Sequence, residues 1–280
     1  MSWQQPLAWA GRVLLVLGLG LGLWGALEEL RTESYLEGFA RATVPESAPP
    51  VTKIRALMAW LRDPPAWSTR DSTITRDPIL NLENQRLLEI CGTVTNVFVN
   101  LAHTTGLHSR PLILAREDYS AKHVVAEVLV DGRWIVVDPT YRRVLRAADG
   151  RTLTAAELRD PRIWQEATRG LPDYNASYTY DRTTHVRFER VPGGHLVRRF
   201  VNAVAPGWED HTETLTLVLE RRSFQTILLA ALLFLLGATL ETIRFVRRRR
   251  RVYAPLVLAP AEPVLPARPS VRAGGGLGTP

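Results

Sequence analysis

Cysteine is nearly absent from this 280-residue chain: Cys91 is the only one. That excludes an intrachain disulfide, so the fold must be held by its core. There is no glycine-rich loop of the kind that cradles phosphates, which removes nucleotide-binding motifs. His103, His108, His185, His195 and His211 show no metal-ligand spacing, so neither a metal nor another cofactor is expected. The net charge of +7 comes largely from five consecutive arginines, Arg247 to Arg251. They abut an apolar run and have no interleaved aromatics, which argues against a nucleic-acid partner. Internal repeats are lacking as well.

Two long apolar runs stand near the ends. Leu7 to Leu27 is interrupted only by Arg12. At ~1.5 Å per residue it reaches roughly 30 Å, enough to cross a bilayer. A cleaved signal peptide is the rival reading. However, cuts after Ala26 or Gly25 would place bulky Trp24 or Leu23 two residues upstream, so an uncleaved anchor is favoured. The second run starts near Phe224 and continues to about Val246, with no charge from Ile227 to Leu240. Glu241 and Arg244 can pair beyond it, and the arginine block follows. Under the positive-inside rule the block places the C-terminus in the cytoplasm, and two crossings return the N-terminus there. The chain then reads as a two-pass membrane protein. It has an anchor over 1–27, an extracytoplasmic domain over 28–223 (periplasmic in a Gram-negative cell), a second span over 224–246, and a basic, disordered tail over 247–280. Membrane lipid is one expected partner.

Between the runs, Glu28 to Ala42 reads as a helical stem and Pro45 to Pro50 as a linker. Ile54, Leu57, Met58 and Leu61 recur at helical spacing before Pro64-Pro65. Ala66 to Asn84 reads as loop, with turn signals at Asp77-Pro78. Cys91 to Thr105 gives the strongest helix, with Val94, Val97, Phe98, Leu101 and Ala102 on one stripe and Cys91 on that stripe at the first turn. Strands are expected over Arg110 to Ala115, His123 to Val130 and Arg133 to Val137, the last two joined by the hairpin signal Asp131-Gly132. Thr154 and Glu157 fit a capping box. Leu196 to Val204 and Thr214 to Leu219 are further strand candidates. The order, helices and then an antiparallel sheet, makes an α+β domain with its core at about 51–160.

A cysteine nucleophile needs thiolate character, which a helix N-terminus favours through its free N–H groups and dipole. It also needs a base, and the base an orienting partner. If Asp131-Gly132 is a two-residue loop, Val130 pairs with Arg133 and Asp138 comes opposite Val125. His123 then shares a face with Asp138 as its diagonal neighbour, roughly 7 Å away at the backbone. A three-residue loop would put the two on opposite faces. Taken singly, a strand histidine and a turn-forming Asp-Pro are ordinary; together with a helix-start cysteine they suggest one site.

CGTVTNVFVNLAHTTGLHSRPLIL and HVVAEVLVDGRWIVVDPTY resemble the cysteine helix and the histidine–aspartate hairpin of the transglutaminase-like superfamily. Gly106 to Arg110 resembles its lead into the next strand. The resemblance implies a papain-like α+β core, with the cysteine helix packed on an antiparallel sheet between two transmembrane helices. By it, Cys91 is the nucleophile, His123 the general base and acid, and Asp138 the residue orienting His123. Val125 departs from the aromatic often found there. Asn84 and Gln85 are candidates for an upstream oxyanion donor, with ordinary polar roles favoured. The chemistry implied is thiolate attack on an amide, an acyl-enzyme, and release to water or an amine. A peptide or protein of the cell envelope would be the substrate. The alternative is an inactive module of the same fold that binds peptide or scaffolds an envelope assembly.

Overall fold

The computed structural model describes residues 4–62, 74–75, 77–118, 120–171, 174–186, 194–212 and 221–257. The first apolar run and the stem form one continuous helix, α1 (Gln4–Thr43). It is followed by α2 (Pro50–Arg62), the short α3 (Pro78–Leu82) and α4 (Cys91–Thr104). The sheet then begins with β1 (Ser109–Ala115), β2 (Ala121–Val130), β3 (Arg133–Asp138) and β4 (Arg143–Val144). Next come α5 (Pro161–Thr168), β5 (Thr183–Thr184), α6 (Gly194–Val204) and the long α7 (Arg222–Val257). The fold is α+β: five strands in the order β4-β3-β2-β1-β5, with every pairing antiparallel.

The hairpin decides the register. Val130 pairs with Arg133 and Ala126 with Val137, so the loop is two residues long. Asp131 and Gly132 both have positive φ, 49° and 76°, as a type I′ turn requires. Alternation along β2 and β3 then splits the core in two. Ala126, Val128, Ile135 and Val137 face Phe98 and Leu101 of α4, Ile54 and Leu57 of α2, and Leu36 near the end of α1. Val125 and Val136 face the other way, against Leu145, Leu153, Leu158 and Tyr180. The core therefore extends beyond the expected limit near 160, because residues of 163–171 and 174–180 cover this second face.

Four expectations need correction. Leu196 to Val204 is helix, not strand. Its apolar residues Leu196, Val197, Phe200 and Val204 follow helical spacing, and this period prevails over the β-branched content. Asp77-Pro78, read as a turn inside a loop, starts α3 instead: Asp77 Oδ1 accepts from Ile79 N–H at 2.9 Å and Pro78 fills the first helical position. The linker ends at Pro49, since Pro50 already opens α2. The arginine block does not end the second apolar helix, which runs on to Val257. Arginine is a good helix former, and nothing in 247–257 breaks the ladder except the late Pro255. Thr214 to Leu219 and the tail from 258 lie outside the described residues. The capping box is present, with Thr154 N–H donating to Glu157 at 2.8 Å and Glu157 N–H to Thr154 Oγ1 at 3.3 Å.

α1 and α7 are both long and apolar enough to cross a membrane, with only 17% and 11% of their most apolar windows buried. That exposure distinguishes them from core helices. Packing divides the chain into two units, Leu17–Leu233 and Met1–Val16 with Phe234–Pro280. Within the first, a Cβ on Gly25 would lie 2.8 Å from Ile227 Cγ1 and 3.1 Å from Ser223 O, so the helices touch backbone to side chain. Within the second, a Cβ on Gly237 would lie 2.8 Å from Gly11 O. Such close approach by small residues is how apolar helices pair without a hydrophobic driving force. In this second unit Glu241 also sits 3.2 Å from Arg244 and 3.9 Å from Arg12.

A side chain at Gly132 would meet nothing within 4 Å, so a substitution there costs backbone strain alone. Gly132→Val is expected to lower stability by about 1–3 kcal/mol. Gly132→Asn, which tolerates positive φ, should cost much less. Equal thermal midpoints for the two variants would contradict the turn assignment.

Candidate active site

Cys91 is the first residue of α4. Ile90 before it is extended and provides no side-chain cap, and its carbonyl accepts from Thr93 and Val94 N–H at 3.1 and 3.0 Å. The Cys91 side chain is partly exposed. Thr95, one turn on and buried, donates to Val124 O at 3.0 Å. This bond ties the start of the helix to the strand residue beside His123.

His123 and Asp138 meet as the hairpin arithmetic requires. His123 Nε2 lies 2.9 Å from Asp138 Oδ2, with the two side chains 1% and 0% exposed. The Asp-Pro-Thr sequence explains the aspartate's orientation. Pro139 has no N–H, so the next two amides turn back: Thr140 N–H and Tyr141 N–H donate to Oδ1 at 3.0 and 3.2 Å. Tyr174 hydroxyl adds a donor to Oδ2 at 3.3 Å. The carboxylate is thus held by four donors. If Nε2 carries the proton toward Asp138, Nδ1 is the ring nitrogen left for the thiol; it is buried and makes no other hydrogen bond.

Burial opposes a charge on the imidazole more than any other single influence. Hydrogen bonding to Asp138 and Cys91 and the attraction of both groups outweigh it together, and raise His123 to about 9. The site therefore favours a protonated His123 near neutral pH.

The structure also brings in aromatic residues from the second half of the domain. The Tyr178 ring lies flat on the His123 ring, with centroids 4.2 Å apart and planes 5° apart. Tyr141 and Tyr174 stand edge-on to the same imidazole at 6.1 and 6.4 Å. Burial and the nearby Asp138 push the Tyr174 phenol up, so it remains a donor. Tyr178 is pushed up by burial and by the charges of Cys91 and Asp138. Asn84, in contrast, uses Oδ1 to accept from Arg86 N–H at 3.1 Å, a turn-capping role.

Residues 37–139 match the family model of the transglutaminase-like superfamily. That stretch of the chain is similar to a transglutaminase-like core. The match ends one residue after Asp138, so it encloses Cys91, His123 and Asp138 and leaves out Tyr174, Tyr178 and Tyr180. No curated protein and no solved structure matched the chain. Within the matched stretch Arg110, noted in the sequence as closing the Gly106 segment, is nearly buried. Its Nε lies 2.8 Å from Glu127, and its guanidinium lies 4.1 Å over the Trp134 ring. His185 Nε2 reaches the same Glu127 oxygen at 2.9 Å. Burial pushes Glu127 up, but His185 and Arg110 together hold it below the ordinary carboxylate range.

A histidine whose pKa rises on folding stabilises the fold fully below its unfolded value near 6.5. That contribution is lost as pH passes the folded value of about 9. The thermal midpoint should fall across that window by an amount equivalent to on the order of 2–3 kcal/mol. Asp138→Asn should flatten the decline. A decline of the same size in that variant would show that His123 is not its source.

Proposed function

We propose that the domain is a membrane-anchored thiol enzyme that acts on amide bonds of a peptide or protein through an acyl-enzyme. The observation that carries this reading is the buried 2.9 Å pair of His123 and Asp138, which leaves Nδ1 for Cys91. The Cys91 thiolate attacks the amide carbonyl and forms a C–S bond. The oxygen takes the negative charge, close to the positive end of the α4 dipole. As the tetrahedral centre collapses, the C–N bond breaks and the imidazolium Nδ1 proton passes to the departing amine. Water or a second amine then enters, gives its proton back to His123 and attacks the thioester, and the thiolate leaves. Asp138 keeps the ring oriented and stabilises its positive form. Hydrolysis is the default outcome where water is the abundant acceptor.

The flat stacking of Tyr178 on His123, with the imidazole almost fully covered, favours a second reading: a closed, non-catalytic module that binds peptide or scaffolds an envelope assembly. An electrophilic amide-mimic probe separates the two. The intact protein should label, and Cys91→Ala should not. The alkylation rate should inflect below the value of about 8.5 for a free cysteine, and His123→Ala should raise that inflection. Asp138→Asn should keep the fold and cut turnover by on the order of 10²–10⁴. A slow thiol that ignores changes at His123, in well-folded protein, would leave the module reading.

The arginine block and the two apolar helices support a two-pass topology with 28–223 outside the cytoplasm and both termini inside. Protease added to intact spheroplasts should cut within 28–223 and spare a tag placed after Pro280. Loss of the tag would overturn this topology.

A further inference from the structure

α6 is amphipathic, and its apolar face is turned outward. Leu196 is 60% exposed, Val197 43%, Phe200 68% and Val204 67%. At ~100° per residue these four fall within an arc of about 100°. Arg198 lies roughly opposite, and the exposed Arg199 lies about 60° outside the arc, on the side of Leu196. The polar side is fastened to the domain. Arg198 donates to Glu209 Oε1 at 2.6 Å, and Glu209 Oε2 accepts from Thr184 Oγ1 and His185 N–H at 3.0 Å each. Trp208, partly exposed, is held against the helix through Asn202 Oδ1 at 2.7 Å. The outward apolar face is thus fixed by a polar anchorage and not left over from a loose segment.

A short chain of contacts places this helix. Glu209 O accepts from Arg110 at 3.5 Å, and the neighbouring Ser109 donates to Val99 O at 3.2 Å. Next to Val99, Asn100 Oδ1 accepts from Arg221 Nε at 2.7 Å. Arg221 immediately precedes α7 and also binds Glu29 and Glu33, just past the apolar part of α1. Arg198 of α6 is therefore linked through Glu209, Arg110, Ser109, Val99 and Asn100 to Arg221, at the layer where both apolar helices enter the domain.

We propose that α6 is an interfacial helix. Its Leu196, Val197, Phe200 and Val204 face lies in the headgroup region of the leaflet from which α1 and α7 emerge, with Arg199 reaching the lipid phosphates from the side. This rests on the reading of α1 and α7 as membrane spans. The occupant is the bilayer surface, because the same chain holds that surface next to the helix.

The test uses the full chain in lipid vesicles. Cys91→Ser supplies a cysteine-free background, and an environment-sensitive fluorophore is attached at Phe200→Cys, with Val204→Cys as a second site should the first fail to fold. Arg162→Cys, on exposed α5, is the water-facing control, and Leu232→Cys in α7 is the span control. Probes on α6 should lose emission to lipids with a nitroxide near the headgroup and be shielded from aqueous iodide. Arg162→Cys should respond only to iodide, and Leu232→Cys to a nitroxide deep in the acyl chains. Quenching of the α6 probes by iodide, as at Arg162→Cys, would overturn the proposal. So would shielding from both quenchers, which means that protein covers the face. If Leu232→Cys responds to the deep nitroxide while the α6 probes behave in either of those ways, the spans stand and the interfacial helix falls. A Leu232→Cys probe that ignores lipid removes both.

Discussion

The two-residue turn at Asp131 and Gly132 is the constraint on which the site depends. Side chains alternate along a strand, so one extra residue in that loop would move every β3 side chain to the opposite face. Val136 would leave the second core layer, Ile135 and Val137 would leave the packing against α4, and Asp138 would point away from His123. Core and site are therefore set by the same register, and a slip cannot damage one while sparing the other. Position 132 takes positive φ without strain, and Asp131 accepts it as a short polar residue that tolerates the left-handed region.

Given that register, the charge balance follows from burial. An imidazolium at 1% exposure would be costly alone. It is sustained because Asp138 faces it, and because Asp138 is itself held by two amides and a phenol and has no need to turn elsewhere. The cluster of Arg110, Glu127, His185, Glu209 and Arg198 repeats the pattern on a larger scale. There too a buried carboxylate is tolerated through several cationic neighbours, and the result joins β1, β2, β5 and α6. Removing one member would strand the others' charges, which is more damaging than never having had the network.

The features legible in the sequence were those encoded locally. Cys91 at a helix start, the Asp-Gly turn, and the strand carrying His123 are each defined within a few residues, and the turn converts them into a spatial relation. The tyrosines on His123 were not legible. Tyr174 and Tyr178 sit in a weakly patterned segment, and only the tertiary placement of 174–180 over the sheet brings them to the imidazole. The misreading of α6 has a different origin. Valine and phenylalanine suggest strand by composition, and the spacing of Leu196, Val197, Phe200 and Val204 identifies a helix only if the outward face is allowed to be apolar. A soluble domain would rarely permit that. Arg221 was hidden for a third reason: its partners lie 121, 188 and 192 residues away.

Those partners give the attachment a mechanical meaning. Arg221 is only 4% exposed and is shared between two carboxylates of α1 and Asn100 of α4. Pulling such a group from its partners strands the buried Arg221 charge, while Glu29 and Glu33, 18% and 40% exposed, can turn to water, so the cost stays below the ~3–5 kcal/mol of a fully buried pair. α4 also begins with Cys91, and Leu36 of α1 lies in the same core layer as Phe98 of α4. With α1 and α7 in a bilayer, the thiol would stand at a set distance from the lipid surface and would not swing on a flexible tether. Reach would then select substrates along with pocket chemistry: an amide on a molecule held near that surface at the right height would meet Cys91 at high effective concentration. The same amide on a freely diffusing peptide would gain nothing from the anchor.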